Sequence, residues 1–250
     1  MLTLTRRSLL VGAGLGLLAP KPLWAQAVLD REHQPKLELP LLAEDATAVP
    51  VQVSVDHPME PDHYIRSIEV TVEQDPVAYK GKFSFTPGSG RAWVAFTMRS
   101  GSGGVAKAVA ECTKHGRFTG TREYRVADNG CSTVGPESAS RERLGHPQLR
   151  LPRSIKPGEV VEVRTKLDHG SYTGLVMKGG KFVRELPEFY VKDLLAFLDD
   201  QKINEFHLTS AISANPLIRF PFKATRSGTL RVAFVNSEGQ RWETSQPVRV

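Results

Sequence analysis

The sequence predicts an all-β protein, built as two immunoglobulin-like β-sandwich domains in tandem. Three observations carry this. Apolar residues recur at every second position in short runs from Val49 onward, the runs are separated by Pro, Gly and Asp turn formers, and the pattern stops once, between Asp128 and Pro152, before resuming. A chain of 250 residues accommodates two domains of about 100 residues each with a core in both. With 40% hydrophobic and 24% charged residues it is not disordered, and its two cysteines exclude a disulfide-stapled miniprotein.

The first 27 residues read as an export signal. Arg6-Arg7 precede Ser8-Leu9-Leu10, a short apolar run covers Val11 to Ala19, and Ala25-Gln26-Ala27 offers small residues for cleavage. The paired arginines match a twin-arginine signal, which places the mature protein in the periplasm. Gly12-Ala13-Gly14-Leu15-Gly16 imitates a dinucleotide fingerprint, but no third glycine at the right spacing and no βαβ unit follow. Without the leader, 30 basic residues face 27 acidic ones, a charge of about +3, too weak for a nucleic-acid partner. Nothing after the signal is apolar for the ~20 residues of a membrane span.

The first domain is expected over 40–127. Val51, Val53 and Val55 alternate with polar residues, as do Ile68, Val70 and Val72. Asp75-Pro76 and Pro87-Gly88-Ser89-Gly90 mark breaks, Trp93, Ala95 and Thr97 resume the alternation, and strands flank the His115-Gly116 turn. A linker covers 128–151. The second domain is expected over 152–250, with strands at Glu159 to Thr165, Phe206 to Thr209, Phe220 to Ala224, Leu230 to Phe234 and Val248 to Val250. Phe189 to Asp200 has the composition of a short helix, yet strand, turn and strand around Asp199-Asp200-Gln201-Lys202 fit the rest of the chain better.

The two cysteines sit in different settings. Cys112 continues the face of Ala106, Ala108 and Ala110 and reads as a small core hydrophobe. Cys131, in Asp128-Asn129-Gly130-Cys131-Ser132-Thr133, follows the last strand of the first domain among turn formers, where an exposed thiolate reaches a partner's site. An arm leaving near Val126 projects such a sulfur at most roughly 17 Å. A Cys112–Cys131 disulfide or redox pair stays open in an oxidising compartment. Asp56-His57 and Asp62-His63 match no zinc spacing and read as solvated turn residues, so no metal and no cofactor are expected. His169 reads as a polar surface residue at a strand end, and no catalytic acid–base pair or serine nucleophile stands out.

Several motifs resemble the SoxY and SoxZ subunits of bacterial sulfur oxidation, joined end to end. In the first half these are Val49-Pro50-Val51, Ile68 to Pro76, and Val105 to Glu111 leading to Cys131. In the second they are Lys156-Pro157-Gly158-Glu159-Val160-Val161-Glu162-Val163, Leu167-Asp168-His169 with Thr173-Gly174, Ala214-Asn215-Pro216-Leu217-Ile218-Arg219-Phe220, Ser227-Gly228-Thr229-Leu230 and Asn236-Ser237-Glu238-Gly239. The resemblance implies a non-enzymatic carrier that holds a sulfur group covalently on Cys131, flanked by Gly130. It implies as partners a periplasmic Sox-type cytochrome, a hydrolase and a sulfane dehydrogenase. Only Gly130-Cys131 matches the family's Gly-Gly-Cys-Gly-Gly arm, and the arm is internal here rather than terminal. Fused carriers of this kind resemble those associated with periplasmic quinoprotein dehydrogenases. The alternative is therefore an accessory or assembly protein for such an enzyme, with no covalent load. Homo-oligomerisation stays open.

Overall fold

The computed structural model describes residues 31–101, 103–127 and 144–250. Gly130 and Cys131 lie outside them. Among the described residues no helix is long and apolar enough to cross a membrane. The first half contributes β1 (Lys36–Glu38), β2 (Leu42–Ala43), β3 (Val49–Val55), β4 (Ile65–Val72), β5 (Tyr79–Phe85), β6 (Ala92–Met98), β7 (Gly103–Cys112) and β8 (Gly116–Val126). The second contributes β9 (Gly145–Arg150), β10 (Glu159–Asp168), β11 (Leu175–Lys178), β12 (Lys181–Arg184), β13 (Val191–Leu198), β14 (Gln201–Leu208), β15 (Leu217–Ala224), β16 (Gly228–Asn236) and β17 (Arg241–Val248).

The alternation read from sequence is the alternation of burial. In β7, Ala106, Ala108, Ala110 and Cys112 are buried while Lys107 and Glu111 are half-exposed. Phe189 to Asp200 is extended, as expected. Leu194, Ala196 and Leu198 enter the core, and Asp199 turns the chain at φ 52° with a carboxylate oxygen accepting the Thr229 amide at 2.8 Å. Packing against neighbouring strands overrides the helix propensity of the segment.

Each half is a sandwich, and the two are joined strand to strand. One sheet runs β17-β16-β13-β14-β5-β4-β7-β8-β2, the other β1-β3-β6-β15-β10-β9. β5 of the first half pairs with β14 of the second in register from Gly81↔Leu208 to Phe85↔Asn204. A single pair, Arg219↔Ala95, joins the other sheet. Phe83 stacks on Phe96 and meets Phe206, which meets Phe220, so one apolar core crosses the junction.

Beyond the short, unanticipated β1, β2, β11 and β12, three strands differ from expectation for a physical reason. β9 lies inside the expected linker, an edge strand with Leu149 as its deeply buried apolar residue. β17 spans Arg241–Val248 instead of Val248 to Val250, and its outward charges hide it from a hydrophobic pattern. β5 was not anticipated because it buries a lysine: Lys80 is 1% exposed. Its ammonium meets Asp75 Oδ2 at 2.6 Å and the carbonyls of Val77 and Arg99 at 3.0 Å, three acceptors for three protons. Asp75 Oδ1 in turn accepts from Ser100 Oγ and the Gly101 amide. Ser100 Oγ lies 2.6 Å from the Tyr124 hydroxyl, whose pKa burial pushes up to about 12.

Candidate metal centre

At the opposite end of the first half, four histidines and a cysteine converge. The donor atoms of His33, His57, His63, Cys112 and His115 all lie within 4.8 Å of one another. The elements that bring them there are local and explicable. β7 ends at Cys112, and Thr113-Lys114-His115-Gly116 turns the chain into β8, with Gly116 at φ 85° supplying the left-handed residue. That turn presents Cys112 and His115 together. The β3–β4 loop supplies His57 and His63 and is closed by the Glu60↔His63 bridge. His33 arrives from a helical turn just before β1, on an arm that crosses β8 at Gly120.

The spacing is that of a coordination shell. His57 Nε2 lies 3.1 Å from His63 Nε2, His63 Nε2 lies 3.2 Å from His115 Nδ1, and His115 Nδ1 lies 3.0 Å from His33 Nε2. Nitrogens spaced by about 3.1 Å would stand about 2.2 Å from the centre of a square if the His33–His57 edge closed it, within the tolerance of a metal–imidazole bond of ~2.0–2.1 Å. Cys112 Sγ stands 3.9 Å from His57 Nε2 and 3.8 Å from His115 Nδ1, which suits an apex above that square.

The surroundings favour the donor forms. His57 Nδ1 bonds the Pro58 carbonyl at 2.5 Å, leaving Nε2 as the lone-pair nitrogen. Burial holds the His57 pKa below the ordinary imidazole value, against the Pro58 bond, which favours the neutral, metal-binding form. The Lys114 amide donates to Cys112 Sγ at 3.5 Å, and His33 stacks on Phe118 with centroids 4.6 Å apart. Neighbouring carboxylates are held elsewhere: Asp56 pairs with Lys36 at 2.5 Å and Asp62 with Lys114 at 2.7 Å. Cys112 and His33 are buried, His63 is half-buried and His115 exposed, so one side of the ring faces solvent. Five donors exceed the four of a structural zinc site and leave an octahedral ion one position for a small ligand.

This corrects three sequence expectations. Cys112 is buried as expected, at 3% exposure, but its sulfur faces four imidazoles. His57 is buried and His63 half-buried rather than solvated, and they belong to a group of donors able to hold a metal where none was expected. His115, read from sequence only as part of the turn between two strands, is a fourth imidazole of the group. The signal was present as Cys112-x-x-His115-Gly116, but the other three ligands lie 49 or more positions upstream and only the sandwich brings them near. His169 is also corrected: it is 1% exposed, stacks on Phe189, receives Asn236 Nδ2 at Nε2, and its amide donates to Asn215 Oδ1 while its carbonyl accepts the Asn215 amide.

Among the described residues Cys112 carries no disulfide, and Cys131 lies outside them.

The fold and its motifs define a two-part sulfur-oxidation protein. Residues 22–131 match the family of Sulfur oxidation protein SoxY, and residues 149–247 match Sulphur oxidation protein SoxZ. The chain is a SoxY–SoxZ-like fusion. A comparison with curated proteins finds no match. Among solved structures, a superoxide reductase (neelaredoxin) from Ignicoccus hospitalis is 34% identical, with 38% of this chain and 80% of that one covered and a TM-score of 0.35. Superoxide reductase from Nanoarchaeum equitans is 19% identical, with 37% and 93% covered and a TM-score of 0.33.

Proposed function

We propose that this sulfur-oxidation protein works in the periplasm through a mononuclear iron centre in its SoxY-like half, and that the centre reduces superoxide. The convergence of four imidazoles and one thiolate on a solvent-facing ring carries this reading. Imidazole and thiolate together suit iron, and five protein donors leave one position for a small ligand. Iron bound there would supply the single electron that takes superoxide, with two protons, to hydrogen peroxide, a reduced periplasmic redox partner returning the electron. His33, His57, His63 and His115 would hold the ion through their imidazole nitrogens. Cys112 would add the anionic donor that stabilises the oxidised ion, its sulfur steadied by the Lys114 amide. The test is metal analysis of the chain purified after periplasmic export, followed by superoxide consumption with a reductant. One iron per chain with peroxide formed one-to-one is expected. Zinc alone, or iron without superoxide turnover, refutes the reading.

The SoxY match, which ends at residue 131, supports a second function for the same chain: a non-enzymatic carrier holding a sulfur group covalently on Cys131 beside Gly130. Its partners are then a Sox-type cytochrome, a hydrolase and a sulfane dehydrogenase, or a quinoprotein dehydrogenase. Intact mass of the native protein before and after a thiol reductant decides it. A reductant-labile sulfur adduct on the Cys131 peptide establishes the carrier. A bare thiol after exposure to thiosulfate and those partners leaves the accessory role, in which Cys131→Ser has no phenotype.

A further inference from the structure

A second polar site lies at the other end of the first half, against the second. There a cavity of about 30 Å3 is lined by Asp75, Lys80 and Arg99 from the SoxY-like half and by Thr173, Leu175 and Phe182 from the SoxZ-like half. Its size matches a guest of a few heavy atoms, since one water needs about 10–15 Å3. The cations on its wall are treated differently by the fold. Lys80 has the buried carboxylate of Asp75 and two carbonyls. Arg99 is 6% exposed, and its Nε and Nη1 have no acceptor. Among the described residues no carboxylate forms an ion pair with it. Asp45 acts on it from a distance while accepting both the amide and the hydroxyl of Thr47 at 2.7 Å. A guanidinium taken out of water without a counter-charge is costly, and a planar oxyanion edge is its natural complement.

We propose that this cavity binds a small inorganic sulfur oxyanion of the sulfite or thiosulfate class, with Arg99 supplying the charge that recognises it. The choice of sulfur rests on the SoxY–SoxZ membership, and the choice of an oxyanion on the uncompensated guanidinium. The site is separate from the metal centre, which sits at the far end of β7, roughly 30 Å away. It lies instead at the sheet end where β8 finishes: Gly103 pairs with Arg125, two residues before Ala127. The chain towards Cys131 therefore leaves the fold from the same end as the cavity.

The test uses the full chain with Cys131→Ser, so that no covalent adduct contributes. Thermal melting and titration calorimetry are run with sulfite, thiosulfate, phosphate and chloride at matched ionic strength. Sulfite or thiosulfate is expected to bind one-to-one and raise the melting temperature with concentration. Arg99→Met is expected to weaken that binding at least 10-fold, and Arg99→Lys to weaken it less. Leu175→Trp, which fills the cavity and keeps the charge, abolishes binding and serves if Arg99→Met does not fold. Stabilisation by phosphate equal to that by sulfite overturns the assignment to sulfur. An unchanged response in Arg99→Met or Leu175→Trp overturns the site. Iron content measured in parallel belongs to the metal centre alone, so failure of one reading leaves the other standing.

Discussion

Gly120→Ala tests whether the arm carrying His33 is held in place by the absence of a side chain on β8. A Cβ at position 120 would stand 2.0 Å from the Pro35 carbonyl oxygen and 3.0 Å from its carbon. Ordinary contact needs about 3.4 Å or more, so the arm must retreat by roughly 1.4 Å. His33, two residues earlier, holds its Nε2 3.0 Å from His115 Nδ1. Metal bonds tolerate about ±0.2 Å, so this displacement removes His33 from the ring while the four other donors stay. Loss of positioning of this kind lowers metal affinity by about 10–100-fold. Chelator competition measures the affinity, and circular dichroism follows melting of the metal-free chain. The expected result is a large affinity loss with a small melting shift, because the arm itself yields. His33→Ala should give a similar loss, and the double variant no more than His33→Ala alone, since both remove one ligand. Wild-type affinity in Gly120→Ala, or additive losses in the double variant, would refute the reasoning.

Cys112→Ser should abolish the visible sulfur-to-metal absorption of the oxidised, metal-loaded protein while a far-ultraviolet spectrum stays sheet-like; a retained band assigns it to another sulfur. Lys80→Met leaves Asp75 buried without its cation and should cost about 3–5 kcal/mol in urea unfolding. A loss below 1 kcal/mol would mean that water reaches the pair. Burial holds the His169 pKa below its ordinary value, against the Gly170 carbonyl bond. The unfolded chain then takes up a proton near pH 6.5 that the folded chain refuses. Stability is complete above that pH and falls as pH drops through the window down to the folded-state pKa. His169→Gln should flatten this slope by one proton, and an unchanged slope places the titration elsewhere.

The sheet was legible because its strands advertise themselves: Val51, Val53 and Val55, or Ala106 to Cys112, alternate in sequence as they do in burial. β17 and β9 were not, because edge strands keep polar residues outward and bury little. The SoxZ-like motifs were legible, and the structure gives their physical content. Asn215, at φ 50°, receives the His169 amide, and Asn236 Oδ1 accepts the amides of Glu238 and Gln240. The metal centre was only half legible. Cys112 and His115 form a compact pair, yet His33, His57 and His63 come from separate segments whose proximity follows from sandwich closure, which no local spacing encodes.

The pairing of β5 with β14 means that the peptide bond between the halves is not what holds them together. A protease cut anywhere between 128 and 143 would leave two fragments that still share a nine-stranded sheet and a common aromatic core. Such a nicked protein should elute as one particle and separate only in denaturant. The halves, expressed as separate polypeptides, should complement each other. What the covalent junction adds is then equal dosage of the two halves, while cohesion resides in the strands.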